Sequence, residues 1–220
     1  MEGVILGASG LIGTELTKAL LADPVFTHVR LLVRNIQPLE HPKLEQLITD
    51  FSNMQDFKDK IGNGDVVFCC IGTTMKNVKG DKQLYYSIDH DIPIHAANFA
   101  QNHGFTQFAL VSSVGAAKDA RNFYLHLKGT TEEDLRQFSF QAIHIFRPSM
   151  LLGNRNEKRT AEKIGQKLMK SIRAIIPSKY KPVEARIVAN AMKEAVKRPR
   201  SGTQVYHYRE IMELQTIKGT

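Results

Sequence analysis

Gly7-Ala8-Ser9-Gly10-Leu11-Ile12-Gly13 is the stretch of sequence that decides the fold. The apolar run Val4-Ile5-Leu6 precedes it and predicts a first strand, and residues 14–21 follow it with the composition of a helix. A glycine-rich turn between a strand and a helix lets the backbone approach a phosphate, which the amides of the helix N-terminus then face. The pattern is G-x-x-G-x-x-G rather than G-x-G-x-x-G, so an ordinary tight turn is the alternative. Its place directly after an apolar strand favours a dinucleotide site.

The length and the cysteine content favour one intracellular domain. A chain of 220 residues suits a single domain with a well-buried core. It lacks an apolar run of roughly 18 residues or more, so we expect no transmembrane helix. The first residues already belong to the predicted strand, so we expect no signal or transit peptide. Cys69 and Cys70 are adjacent in an apolar run, which indicates buried thiols in a reducing cytoplasm rather than a disulfide framework.

The net charge of +8 is unevenly distributed. Residues 1–150 contain 14 Lys and Arg against 16 Asp and Glu, whereas residues 151–220 contain 16 against 6. The basic C-terminal third is consistent with attraction to an acidic substrate, a nucleic acid or an anionic surface, and equally with the solvated faces of helices. We favour solvated helices and expect no nucleic-acid partner, because the sequence contains no nucleic-acid-binding motif.

Strand and helix patterns alternate along the first 150 residues. Strands are predicted at residues 29–33, 44–49, 65–71, 108–111 and 142–146, and helices at residues 54–61, 89–103 and 123–138. Such alternation predicts an α/β fold with a doubly wound parallel sheet, in which ligands bind beyond the carboxyl ends of the strands. Helical periodicity follows at residues 161–175 and 183–195, with a late edge strand near 205–211. We therefore predict one nucleotide-binding domain over residues 1–220, with a small helical lid at 153–200 on the substrate side.

Four side chains form a candidate catalytic set. Tyr124 and Lys128 are four residues apart in a predicted helix and share a face. A nearby ammonium favours the phenolate, so Tyr124 could exchange a proton near neutral pH. Ser112 and Ser113 follow the strand at 108–111, where a hydroxyl could hold a carbonyl oxygen beside the phenol. A chance Tyr-x-x-x-Lys and two serines that satisfy backbone groups are the alternative. The order of glycine turn, serines, tyrosine and lysine favours chemistry.

With these motifs the sequence resembles the short-chain dehydrogenase/reductase superfamily in its small atypical branch, and within it the Tat-interacting-protein-like oxidoreductases and their bacterial relatives. The resemblance covers most of the first 152 residues and little of the last 68. Its serine-to-tyrosine spacing is slightly shorter than in longer members, which leaves open whether Ser112 or Ser113 acts. The stretches that carry the resemblance are residues 7–13, Cys70-Ile71-Gly72-Thr73-Thr74, Leu110-Val111-Ser112-Ser113-Val114-Gly115-Ala116, Asn122-Phe123-Tyr124-Leu125-His126-Leu127-Lys128-Gly129 and Phe146-Arg147-Pro148-Ser149-Met150-Leu151-Leu152.

The resemblance implies a Rossmann-type fold with a nicotinamide dinucleotide on the glycine turn. It implies that Asp50 and Phe51 face the adenine, and that the catalytic set is Ser112 or Ser113 with Tyr124 and Lys128. It places residues 70–73 along the middle of the cofactor and Arg147-Pro148 beside the nicotinamide. The implied cofactor-binding residues, besides Asp50 and Phe51, are Gly7, Ala8, Ser9, Gly10, Leu11, Ile12, Gly13, Cys70, Ile71, Gly72, Thr73, Val111, Lys128, Arg147 and Pro148.

The residues after the second predicted strand bear on the choice of cofactor. An NAD-selective site places a carboxylate there, ~20 residues beyond the glycines, to bind the ribose hydroxyls. Here Leu32-Val33-Arg34-Asn35 occupies that position, and the next acid is Glu40. A guanidinium suits a 2′-phosphate by bidentate pairing, whereas the alternative is a solvated arginine. We therefore predict that Arg34 selects NADP over NAD.

The histidines give no further candidate. His90, Asp91 and His95 suggest a metal site, but His90 lies off the helical face shared by Asp91 and His95, and no third ligand has suitable spacing. We expect no metal. His126 is two residues from Tyr124 and so faces away from it on a helix, and we assign it no catalytic role.

Two functions from different classes remain. The first is an NADPH-dependent oxidoreductase that reduces a small carbonyl compound, with Tyr124 giving the proton, Lys128 tuning Tyr124 and holding the ribose, and a serine holding the carbonyl oxygen. The second is a regulatory or scaffold protein that binds NADPH without turnover. The intact serine, tyrosine and lysine favour the enzyme. The substrate stays open, as does the oligomeric state, for which a homodimer is one alternative.

Overall fold

The computed structural model describes residues 1–152 and 177–216. In these residues seven parallel strands form one sheet, and a second pair of short strands lies apart from it. The strands are β1 (Glu2–Leu6), β2 (His28–Val33), β3 (Leu44–Ile48), β4 (Val66–Cys69), β5 (Gln107–Val111), β6 (Ala142–Phe146), β7 (Leu151–Leu152), β8 (Val183–Glu184) and β9 (Gly202–Tyr206). The helices are α1 (Leu11–Leu21), α2 (Met54–Ile61), α3 (Lys82–Tyr86), α4 (Ile92–Asn102), α5 (Phe123–Leu135), α6 (Ala185–Lys197) and α7 (Tyr208–Thr216), with a π-helical turn at Ser87–Asp91 and a 3-10 turn at Ser178–Tyr180.

The strand order confirms the predicted doubly wound parallel sheet. It runs β3-β2-β1-β4-β5-β6-β9, and β7 pairs with β8. The direction in which strands are added reverses between β1 and β4, and ligands of open α/β sheets bind beyond the carboxyl ends of the strands at such a reversal. The glycine turn follows β1 and the segment Cys70–Thr74 follows β4, so both lie at this position.

Helices cover both faces of the sheet. Helices α1 and α6 pack on one face, and α2, α4 and α5 pack on the other. Every residue of β4 is buried, which explains why its sequence is almost entirely apolar. Fully buried residues include Leu16, Leu20, Val188, Ala191 and Met192 in the α1–α6 layer and Phe57, Ala96 and Leu135 in the opposite layer.

Helix α6 belongs to the helical layer and not to a lid. Its apolar face is buried against α1 and the sheet, and its polar end is fixed by Asp23, which follows α1. Lys193 Nζ and Lys197 Nζ lie 3.0 Å and 2.9 Å from Asp23 Oδ2. Burial opposes the charge on Asp23, but hydrogen bonds from Lys197, Val25 and Lys193 lower its pKa to about 2. The predicted helix at 161–175 and residues 153–176 of the predicted lid lie outside the described residues.

Several element boundaries differ from the predictions. Helix α1 begins at Leu11 rather than at residue 14, and residues 89–91 of the helix predicted at 89–103 belong to the π-helical turn, so that α4 begins at Ile92. The last strand ends at Tyr206, and the chain is helical again from Tyr208. The position of this strand is decided by its pairing with β6, in which Phe146 lies opposite Tyr206. Such a tertiary pairing cannot be predicted from the local sequence pattern.

A buried histidine joins the last three strands of the sheet. His144 Nδ1 lies 3.0 Å from Tyr206 Oη, and His144 Nε2 lies 3.2 Å from Gln107 Oε1. Because an amide oxygen only accepts, Nε2 carries the proton and the Tyr206 hydroxyl donates to Nδ1. Burial lowers the pKa of His144 to about 4, so the imidazole is neutral near neutral pH. This polar row fixes the positions of β5, β6 and β9 relative to one another.

Candidate functional site

The glycine turn brings β1, β4 and α1 into close contact. Gly7 has a φ of +81°, and a Cβ there would lie 2.7 Å from the backbone of Cys70. A Cβ on Gly13 would lie 2.2 Å from the carbonyl oxygen of Gly7. Glycine is therefore required at Gly7 by its left-handed backbone and by the approach of β4, and at Gly13 by the packing of α1 on the turn.

The N-terminus of α1 leaves its amides to a ligand. Among the residues that the structure describes, no side chain caps this helix at Gly10, and its first turn contains no acid. The first amides of a helix have no partner inside it, so those of Leu11 and Ile12 are available to an anion. Thr14 Oγ1 donates to the Ala8 carbonyl oxygen at 3.0 Å and stabilises the turn. This cradle fits the pyrophosphate of a dinucleotide, for which the helix dipole is also favourable.

The segment after β4 is held from two sides at Thr73. The Thr73 amide donates to Asp89 Oδ1 at 2.8 Å, and the Tyr85 hydroxyl donates to the Thr73 carbonyl oxygen at 2.9 Å. Tyr85 lies on α3 and Asp89 on the π-helical turn, and both are buried. Burial and the nearby Asp89 carboxylate raise the pKa of Tyr85, so the phenol stays protonated. The segment Cys70–Thr74 is thus fixed beside the glycine turn.

Lys128 forms a buried ion pair with the same aspartate. Lys128 Nζ lies 3.0 Å from Asp89 Oδ2, and the side chains of Lys128 and Asp89 are 4% and 0% exposed. Burial alone would lower the pKa of Lys128, but the Asp89 carboxylate and the Tyr124 phenol outweigh it, so the pKa is raised. The ammonium is therefore charged near neutral pH. An ammonium has three donors, so it can hold Asp89 and a ligand together.

Tyr124 lies one turn before Lys128 on α5. The Asn122 side chain caps this helix by accepting from the Leu125 amide at 3.2 Å. Tyr124 is 37% exposed, whereas Lys128 beneath it is buried. The phenol is therefore accessible to a ligand, while the ammonium close to it is fixed. Such an arrangement suits a proton donor, because the buried ammonium would stabilise the phenolate that is left when the phenol gives up its proton.

The two serines have different surroundings. Ser112 is buried, and its hydroxyl donates to Glu132 Oε1. Glu132 is buried as well and binds Arg147, whose Nε lies 3.0 Å from Glu132 Oε1. The Ser113 hydroxyl is half-buried and makes a longer contact of 3.4 Å with the Val114 carbonyl oxygen. The side chain of Ser113 is therefore more exposed and less firmly bound than that of Ser112.

Sequence reasoning missed Tyr85, Asp89 and Glu132. Glu132 follows Lys128 by four residues, just as Lys128 follows Tyr124, so the repeated spacing places all three on one face of α5. This repeated four-residue spacing could have indicated Glu132 from the sequence. Tyr85 lies on α3 and Asp89 on the π-helical turn, and their contacts with Thr73 and Lys128 had no signal in the sequence.

The other predicted cofactor residues lie along the same edge of the sheet. Val111 ends β5, and Arg34 and Asp50 follow β2 and β3, whose last residues are paired. Hydrogen bonds from Ser52 lower the pKa of Asp50. Phe51 packs edge to face on Phe57, with 5.0 Å between ring centroids.

At the end of β6, the guanidinium of Arg147 is bound to Glu132. The Val114 amide donates to the Pro148 carbonyl oxygen at 2.9 Å, which joins the segment after β6 to the serine segment after β5.

The histidines of the site region bind protein groups. His90 Nδ1 lies 2.8 Å from Asp91 Oδ1, and His90 Nε2 lies 2.8 Å from Asp134 Oδ2. His126 Nδ1 lies 2.6 Å from the Lys118 carbonyl oxygen and so fastens the loop between Ser113 and Tyr124 to α5. In residues 1–152 and 177–216, no three His, Cys, Asp or Glu are grouped so that they could hold a metal ion. Within the same ranges, no helix has the length and apolar character needed to cross a bilayer.

Comparison with known proteins identifies the family. The sequence pattern of the family described as NAD(P)H-binding matches residues 7–199. The chain belongs to this NAD(P)H-binding family. It is 32% identical over 201 residues to the rat protein HTATIP2, covering 90% of this chain and 82% of that protein. It is 34% identical over 172 residues to FMP52 of Saccharomyces cerevisiae, named as mitochondrial, covering 72% of this chain and 69% of FMP52. The resemblance to atypical short-chain dehydrogenases/reductases is thereby confirmed.

Solved structures agree on the fold of this NAD(P)H-binding protein. MoeE5 in complex with UDP-glucose and NAD matches with a TM-score of 0.70 at 13% identity, covering 97% of this chain and 80% of that one. The UDP-N-acetylglucosamine 4-epimerase of Methanobrevibacter ruminantium matches with a TM-score of 0.71 at 14% identity, covering 94% and 76%. At these identities the likeness supports the Rossmann-type fold alone.

Proposed function

We propose that this protein is an NADPH-dependent reductase of a small carbonyl compound. One observation carries the proposal, namely a continuous run of contacts from the glycine turn to the phenol. Gly7 packs on Cys70, three residues before Thr73. Thr73 binds Asp89, Asp89 binds Lys128, and Tyr124 lies one turn from Lys128 on α5. These contacts connect the predicted cofactor segment to the predicted catalytic pair, which supports the proposal that the two form one site.

Each side chain has a role in this proposal. When bound, the cofactor would supply a hydride to the carbonyl carbon. The Tyr124 hydroxyl donates a proton to the carbonyl oxygen, and the Lys128 ammonium stabilises the phenolate that is left and holds the ribose hydroxyls. The Ser113 hydroxyl donates a hydrogen bond to the same oxygen and orients the carbonyl. The amides at the N-terminus of α1 hold the pyrophosphate.

The test of this function is NADPH oxidation over a panel of aldehydes and ketones, with coenzyme binding measured by calorimetry. We expect binding of NADPH and turnover of at least one class of carbonyl compound. The absence of heat with both NADPH and NADH would reject the proposal. Tight NADPH binding without turnover of any carbonyl would instead support the regulatory or scaffold function.

Replacing each serine by alanine should have opposite effects, one mainly on kcat and the other mainly on the free energy of unfolding. Ser113→Ala should lower kcat by roughly 10²- to 10³-fold, because it removes a donor to the carbonyl oxygen, and should leave the unfolding midpoint unchanged. Ser112→Ala should lower the free energy of unfolding by about 1–3 kcal/mol, because it leaves buried Glu132 with one partner fewer, and should affect kcat less. Steady-state kinetics and urea unfolding of both variants check this. The reverse pattern would assign the catalytic role to Ser112.

The preference for NADP gives a second prediction. We propose that Arg34 binds the 2′-phosphate, so Arg34→Asp should raise the Kd for NADPH at least roughly tenfold more than the Kd for NADH. Calorimetry with both coenzymes measures the two changes. Arg186→Asp is the matched control, because Arg186 is an exposed arginine on α6, and it should leave both constants unchanged. Equal losses for both coenzymes in Arg34→Asp would reject the role of Arg34.

A further inference from the structure

One buried carboxylate connects two parts of the site that the mechanism treats separately. Asp89 Oδ1 accepts from the Thr73 amide at 2.8 Å, and Asp89 Oδ2 lies 3.0 Å from Lys128 Nζ. Thr73 belongs to the segment along the proposed cofactor, and Lys128 belongs to the proposed catalytic pair. We infer that Asp89 is a positioning residue, whose carboxylate holds the Lys128 ammonium at a fixed place relative to the segment Cys70–Thr74. This inference rests on the proposed function.

The backbone around Asp89 is built to place this carboxylate. Asp89 lies in the π-helical turn Ser87–Asp91, and such turns insert an extra residue into a helix and are frequent at functional sites. The turn directs Asp89 inward to Thr73 and Lys128, whereas His90 binds Asp134 of α5 on the outer side. Thr131 Oγ1 lies 3.3 Å from the Asp89 carbonyl oxygen and 2.9 Å from that of Leu127. Lys128, Thr131 and Asp134 thus fasten the turn to α5.

The position of the Lys128 ammonium depends on the negative charge of the Asp89 carboxylate. Both side chains are almost completely excluded from water. A buried ammonium without a counter-charge is strongly unfavourable, so it loses its proton or moves toward water. The titratable groups that face Lys128 are Asp89, Tyr124 and Cys69, and the carboxylate of Asp89 forms the ion pair with the ammonium at 3.0 Å. Without Asp89 the ammonium would be free to leave the place from which it reaches a ribose and the phenol.

The first test uses the protein without cofactor. In the wild type the pKa of Lys128 is raised, so its stabilising effect is present below about pH 10.4 and is lost above it. In Asp89→Asn, burial lowers the pKa of Lys128, so stability rises with pH until the ammonium is neutral. The difference in unfolding temperature between wild type and variant should therefore shrink from about pH 7 to about pH 10. A constant difference would show that Asp89 does not control the charge of Lys128, and would overturn the inference.

The second test measures NADPH binding by calorimetry and the pH profile of kcat. Asp89→Asn should raise the Kd for NADPH roughly tenfold and lower kcat at least roughly tenfold, with activity declining toward alkaline pH earlier than in the wild type. Tyr85→Phe is the matched control, because it removes the other hydrogen bond to Thr73 without changing a charge. It should raise the Kd for NADPH by no more than a few-fold and leave the shape of the pH profile unchanged.

The outcomes separate this inference from the proposed function. A wild type that binds neither coenzyme rejects both. A wild type that binds and turns over, with an Asp89→Asn variant that matches it in Kd, in pH profile and in the pH dependence of unfolding, overturns the role of Asp89 alone. If Asp89→Asn does not fold, Asp89→Glu replaces it, since Glu keeps the charge and displaces it by one methylene. It should raise the Kd for NADPH several-fold, and a wild-type Kd and kcat in this variant would overturn the inference.

Discussion

Replacing Tyr124 by Phe should lower kcat by about 10²- to 10⁴-fold, which is the usual contribution of a general acid. The change removes one oxygen atom from a side chain that is 37% exposed, so the fold should be unaffected. The cofactor would still meet the amides of α1 and the ammonium of Lys128. The Kd for NADPH should therefore stay within about threefold of the wild type, and the loss should be in kcat. Steady-state kinetics with a carbonyl substrate, together with calorimetry, measure both.

Tyr86→Phe is the control for this experiment. Tyr86 is as exposed as Tyr124, and it lies on α3 with its ring packed at a tilt against His90, with 4.4 Å between ring centroids. Tyr86→Phe also removes a phenolic oxygen, but from a residue outside the proposed catalytic set, so turnover should be unchanged. Undiminished turnover in Tyr124→Phe would reject the proposed mechanism. An equal loss in both variants would show that phenols near α3 and α5 serve the fold and not the chemistry.

Replacing Glu132 by Ala should lower the free energy of unfolding by about 3–5 kcal/mol, because it leaves one partner of a buried ion pair without its counter-charge. Glu132 binds Ser112 and Arg147, which follow β5 and β6. Its loss leaves the Arg147 guanidinium, which is 22% exposed, without its carboxylate. Urea unfolding followed by circular dichroism measures the change.

Glu133→Ala is the matched control for Glu132→Ala, since it makes the same substitution at the next position of α5. The Glu133 side chain is 52% exposed and lies 3.5 Å from the Arg136 guanidinium. An exposed pair of this kind contributes about 0–1 kcal/mol, so this variant should unfold almost as the wild type does. Similar small losses in both variants would show that Glu132 is not the centre of a stabilising network.

The sheet could be predicted from sequence because its central strands are buried on both faces. Each apolar run reads as a strand without knowledge of its neighbours, and the helices between them force parallel pairing. The place of α6 could not be predicted in this way. An amphipathic helix at 185–197 suits a lid as well as a layer, and contact with α1, at the other end of the chain, decides between them.

The site was predictable where its residues share one element. Tyr124 and Lys128 lie one turn apart on α5, as the four-residue spacing requires. The different surroundings of Ser112 and Ser113 could not be predicted, because the Ser112 hydroxyl binds Glu132, which lies 20 residues further along the chain. Asp89 was not predictable, because the extra residue of a π-helical turn has no local sequence pattern and the contact with Lys128 is tertiary.

The late position of α6 and β9 in the sequence has a consequence for synthesis. A chain that emerges from the ribosome N-terminus first can pair β1 to β6 before the last segment exists. In that state β6 is an open edge, and the apolar surface of α1 lacks the helix that buries it. The nascent protein therefore exposes an aggregation-prone strand edge and apolar surface until α6 and β9 have been synthesised. The contact of Lys197 with Asp23 joins residues 174 positions apart, so it can form only after nearly the whole described chain has been synthesised.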